Sequence, residues 1–156
     1  MSHPTLIPGL RSPYTTTGGI VYFARMLDKI RLHAEGRLPD AWVAAIGPAY
    51  PGTFDSRCCS FLGIKYDELI AETLKGGPDD ELLEWAFTHG RRPSADEVEV
   101  WNGFMMKRGW RDSGSQRLQE RLAEIGLPAG SVETMFDFIE IDEGREPRHS
   151  ALQPDA

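Results

Sequence analysis

Cysteine is scarce. The 156-residue chain has only Cys58 and Cys59, and they are neighbours. Adjacent cysteines cannot staple distant segments, and a bond between them is strained, so a disulfide framework is excluded. No apolar run approaches the ~20 residues of a membrane-spanning helix. The start, Met-Ser-His-Pro-Thr, lacks the basic and apolar regions of a secretory signal. A cytoplasmic location with no membrane partner is the resulting expectation. No segment repeats, and alternating β-branched runs with tight hairpin turns are almost absent.

The usual signatures of chemistry are missing as well. There is no Gly-x-Ser-x-Gly elbow, no papain-like cysteine context, no phosphate loop and no dinucleotide fingerprint. The four histidines, His3, His33, His89 and His149, show neither i, i+4 spacing nor the glutamate partner of a helical zinc site. No metal and no cofactor are expected. The acid pairs Asp79-Asp80 and Asp96-Glu97 suit helix starts, where the dipole attracts carboxylates. No catalytic residue is assigned, and whether the chain is an enzyme stays open.

Positive charge is in short supply. Seventeen Lys and Arg face 24 Asp and Glu, a net charge of -7, which opposes non-specific binding to nucleic acid. Trp85, Trp101 and Trp110 do lie among Arg91, Arg92, Lys107, Arg108 and Arg111, a pattern that can stack single-stranded bases. With this net charge, core tryptophans covered by arginine stems are the better reading, and no nucleic acid is expected. The charge is also uneven. Residues 1–38 carry five cations against two acids, and residues 112–143 carry eight acids against Arg117 and Arg121. Either the two halves dock on one another, or the basic end forms a pocket for a small anion.

What the chain has in quantity is helix. Ile20, Phe23, Leu27, Ile30 and Ala34 share an arc, with Thr17 as N-cap and Gly36 and Pro39 as the stop. The opposite arc, Arg25, Asp28 and Lys29, is flanked by Val21 and Leu32, so it too should be covered. Arg25 and Asp28 are spaced for a local ion pair, which leaves Lys29 as surplus charge. Gly18-Gly19 at the first two helical positions would leave backbone N–H groups open to an anion, with Arg11 and Ser12 close by. Arg11, Ser12, Gly18, Gly19, Arg25, Asp28 and Lys29 are therefore the candidate ligand-binding residues, and a small anion is the candidate ligand.

Further helices follow in order. Asp40–Ile46 suits a short turn or extended piece. Asp55–Leu62 is capped by Asp55 and ended by Gly63. The next begins near Ile64, with Leu69, Ile70, Thr73 and Leu74 inward. Asp79 caps a helix with Leu82, Leu83, Trp85 and Ala86 inward. Ser94 and Glu97 form a capping box ahead of Val98, Trp101, Phe104 and Met105. Leu118, Leu122 and Ile125 define another helix. Ser131–Ile141 forms the last, with a switch to extended chain after Phe136 as the alternative. The expected fold is all-α: a single compact domain, residues 1–145, of about six short helices with an irregular arm at residues 1–16. Residues 146–156 read as a flexible polar tail with Leu152 as its only large apolar side chain, and so as dispensable for folding.

The run Leu10-Arg-Ser-Pro13, then Gly18-Gly19, then Arg25-Met-Leu-Asp28-Lys29 resembles an uncharacterised bacterial family, domain of unknown function 5069. Phe61-Leu-Gly-Ile64, Glu81 to Trp85 and Asp142-Glu-Gly-Arg145 are similar to it too. The resemblance implies a bacterial origin but no activity. Three function classes remain: a small soluble binding or interaction module, which a homodimer would also fit; an enzyme or sensor for a small anionic metabolite; and a single-stranded nucleic-acid binder.

Overall fold

A computed structural model describes residues 4–149. His3 and the end of the expected tail, with Leu152, lie outside the described residues. Within them the chain is mostly helical, with eight helices and one two-stranded ladder. It divides into two compact units, residues 9–102 and residues 1–8 with 103–156.

The larger unit is built around α1 (Phe23–Ala34). Phe23, Ala24, Met26, Leu27 and Ile30 are buried, and so are Arg25, Asp28 and Lys29. A helix covered on both faces is a core helix and not a surface one. It packs on α4 (Tyr66–Leu74) and α5 (Asp79–His89).

Its start differs from the sequence expectation. Gly18 and Gly19, at φ 56° and 78°, form the two-residue turn of a hairpin that joins β1 (Thr16–Thr17) to β2 (Ile20–Val21). Two consecutive positive φ values are what a tight hairpin turn needs, and glycine adopts them without steric cost. Thr17 is therefore a strand residue, and α1 begins only after Tyr22, itself left-handed at φ 78°. The side chain of Asn102 clasps the hairpin. Its Oδ1 accepts from Val21 N, and its Nδ2 donates to the Gly19 carbonyl at 2.8 Å. Trp101, buried as expected, donates from Nε1 to the Val21 carbonyl.

Two short helices complete the early part of this unit, α2 (Asp40–Val43) and α3 (Phe54–Leu62). Thr53, not Asp55, caps α3, and Gly63 ends it at φ 69° as anticipated. Pro78 occupies the cap position of α5, which makes Asp79 its first helical residue. Leu74, placed inward by the wheel, is exposed. The capping box of α6 (Ala95–Lys107) forms in both directions between Ser94 and Glu97.

The smaller unit holds α7 (Ser115–Glu124) and α8 (Met135–Asp142), packed on one another. Leu118, Leu122, Val132 and Phe138 form its core. Chain 135–142 stays helical, so the alternative switch to strand does not occur. Asp137 turns inward and accepts backbone N–H bonds from Arg148 and His149.

Candidate functional site

Two ion-pair groups meet on α1. The first joins the arm, α1 and α5. Arg11 lies on the arm, and its Nε and Nη2 reach Asp28 at 2.9 Å each, while its backbone N also donates to Oδ2. This fork-to-fork geometry is the strong form of an arginine–carboxylate contact. Nη2 of Arg11 also meets Asp79 at 2.6 Å, and Arg31 reaches the other oxygen of Asp79 at 2.8 Å. The hydrogen bonds that Arg11 donates to Asp28 raise its pKa further above an already high value. Burial pushes the Asp79 carboxyl up, but the hydrogen bonds from Arg11 and Arg31 outweigh it and hold the group below the usual carboxylate range.

The second group joins α1 to α3. Lys29 Nζ lies 2.6 Å from Asp55 Oδ1 and 2.8 Å from the Tyr22 hydroxyl, which itself donates to Asp55 at 2.6 Å. Asp55 Oδ2 accepts the Gly47 N–H at 2.7 Å. Burial first, then the Asp55 charge, pushes the Tyr22 hydroxyl well above its ordinary pKa, so it stays a donor. Burial likewise raises Cys58, and raises Cys59 to about 12.

Of the candidate residues, Arg11, Arg25 and Asp28 come together. Arg25 donates to the Arg11 carbonyl and lies over the Trp42 ring. Lys29 belongs to the second group, so it is not the surplus charge the spacing suggested. Asp28 takes Arg11 as its partner, 17 residues away, in place of Arg25. Ser12 shapes the arm by accepting from Tyr14 N and Thr15 N. Gly18 and Gly19 sit in the hairpin turn and not at a helix start, so the bare N-terminus proposed for an anion does not form.

Sequence reasoning missed Asp55, Asp79, Arg31 and Tyr22. Both acids stand near helix starts, where a local electrostatic explanation sufficed and hid their long-range partners.

This is a mostly helical protein whose central helix is locked by buried and half-buried ion pairs. The chain belongs to the family described as a domain of unknown function, DUF5069, which it matches over residues 7–145. No curated protein matches it. Among the described residues no helix is long and apolar enough to cross a membrane.

Proposed function

We propose that this chain is a small binding module, that the α1 ion pairs are its structural clasp, and that it recognises its partner through the turn after α6. One observation carries the reading: Trp110 stands 45% exposed on a turn that the chain holds in a fixed shape. Gly109 and Gly114 both donate backbone N–H bonds to the Asp112 carboxylate, and Asp112 N donates to Ser115 Oγ. Arg111 is held at φ 50°, a conformation that costs a side-chain-bearing residue about 1–2 kcal/mol. Strain held by surrounding bonds, beside an exposed tryptophan, fits a surface ordered in advance for contact. Tryptophan and arginine are also the residues enriched where interfaces concentrate their energy. A bacterial origin goes with this reading on the family resemblance, and a cytoplasmic setting on the lack of a long apolar run.

The test places a photo-crosslinking side chain at position 110 and, as a control, at Glu99. A discrete adduct formed at 110 and not at 99 supports the reading. Equal labelling at both, or none at 110, overturns it.

A second reading keeps the small anion. Arg11 and Arg31 converge on Asp79 much as two guanidinium groups would on a bound carboxylate or phosphate. In this reading Asp79 fills the place of the ligand. Asp79→Ala then opens the pair, and inorganic phosphate raises the melting temperature of that variant more than that of the wild type. An equal shift in both removes the anion reading.

A further inference from the structure

The turn after α6 also indicates what kind of partner it takes, an inference that rests on the binding-module reading. Ion pairing of arginine is the rule in this chain: Arg11, Arg31, Arg37, Arg91, Arg92, Arg108, Arg117, Arg121 and Arg145 each have a carboxylate partner. Among the described residues, Lys107 and Arg111 form no ion pair, as is true of Lys65 ahead of α4, although the chain carries an excess of acids. The nearest acid in sequence, Asp112, cannot serve them. Its oxygens already take two backbone N–H groups and Arg108, and these contacts outweigh its partial burial and hold its carboxyl below the usual range.

The apolar part of the surface lies beside these cations. The Arg111 guanidinium sits over the Trp110 ring at 5.1 Å, and Arg108 sits over Phe104 at 5.8 Å. Phe104 is 39% exposed. A carboxylate paired with Arg111 would therefore lie next to an indole face, and an apolar side chain of the same partner would cover that face. Charge complementarity asks for acid, and the exposed rings ask for something apolar within a few residues of it. Nucleic acid would also satisfy the cations and stack on the rings, but a strand of phosphates needs many cations along its path, and the two free cations of this turn are too few.

We infer that the occupant is an acidic segment of another protein that presents an apolar side chain between carboxylates.

The probe is a synthetic peptide with a phenylalanine flanked by glutamates, followed by fluorescence anisotropy. The comparisons are the same peptide with lysine for glutamate, an all-glutamate peptide, oligo(dT), and the protein's own tendency to dimerise by light scattering. The mixed acidic peptide should bind at least about tenfold more tightly than each comparison peptide and oligo(dT). Added salt should weaken it, as expected for exposed charge pairs. The Lys107→Glu, Arg111→Glu double variant should lose binding at least about tenfold with an unchanged melting curve, and Trp110→Ser should lose it separately. Equal or tighter binding of the lysine peptide or oligo(dT), no effect of the double variant, no binding up to millimolar peptide, or self-association that blocks the peptide would each overturn the inference. If the acidic peptide fails while crosslinking at 110 still yields an adduct, the surface reading stands and only the partner class is wrong. If both fail, the surface itself is wrong.

Discussion

Lys29 and Asp55, 26 positions apart, meet inside the larger unit with 2.6 Å between Nζ and Oδ1, and both are buried. Each alone would be a desolvated charge. Together with the Tyr22 hydroxyl and the Gly47 N–H they form a set in which each group has a partner.

The energetic order within that set follows from what each deletion leaves behind. Lys29→Met strands a buried carboxylate and should cost about 3–5 kcal/mol, the range for breaking one side of a buried pair. Asp55→Ala strands the ammonium and also the Gly47 N–H, so it should cost at least as much. Tyr22→Phe removes two hydrogen bonds, the one given to Asp55 and the one accepted from Lys29, but leaves the ion pair itself in place, so it should cost less than either, about 1.5–3 kcal/mol. Urea denaturation of the three variants checks the order. A Lys29→Met protein as stable as the wild type would show that the pair adds nothing.

Acid should loosen the first group through Asp79. The Asp79 carboxyl is held below its unfolded value by Arg11 and Arg31. A depressed folded pKa stabilises above the unfolded value of about 3.9, and that contribution is lost as pH falls through the folded value. Asp112 has the same sign, with its backbone partners as the main opposition to burial. Asp79→Asn should therefore flatten the fall in melting temperature on the acid side of about pH 5 while lowering stability at neutral pH. A variant whose acid limb overlays that of the wild type would remove Asp79 as a contributor.

The vicinal thiols should be chemically silent in the folded protein. Burial raises Cys59 to about 12 and Cys58 higher than its ordinary value, so almost no thiolate is present at neutral pH. Labelling by a disulfide reagent at pH 8 should proceed only at the rate of opening, and should speed up in urea in step with unfolding. Rapid labelling without denaturant would show that the α3 face carrying Cys59 opens on its own.

Legibility followed distance along the chain. The Ser94–Glu97 capping box spans three residues and was readable, as was Gly63 at the end of α3. Coverage of Arg25, Asp28 and Lys29 was readable too, because Val21 and Leu32 flank them. The hairpin was not: two-residue strands are too short to show alternation, and Ile20 fits the arc of the helix that follows. Arg11 with Asp79 and Lys29 with Asp55 pair across 68 and 26 positions, and no local pattern marks them. Exposure of Trp110 could not be read either, since a tryptophan among arginines is as well explained by a core position.

The end of the described chain provides the last prediction. From composition alone, removing residues 146–156 should leave the melting temperature almost unchanged. The structure ties residues 148 and 149 of this segment to the smaller unit. Asp137 is fully buried, its Oδ1 accepts from Arg148 N at 3.0 Å, and its Oδ2 accepts from His149 N at 3.2 Å. Hydrogen bonds to a charged group contribute about 1.5–3 kcal/mol each, and water reaching Asp137 after truncation would recover part of that. Truncation after Arg145 should therefore cost about 2–3 kcal/mol, or roughly 5–10 °C for a chain of this size. Truncation after His149 keeps both donors and should stay within about 2 °C of the full chain. Asp137→Asn separates the contact from mere chain length: if the carboxylate is what holds the segment, shortening that variant after Arg145 costs less than shortening the wild type. Should both truncations melt with the full chain, the two N–H bonds to Asp137 add nothing to stability, and the segment after Arg145 is expendable.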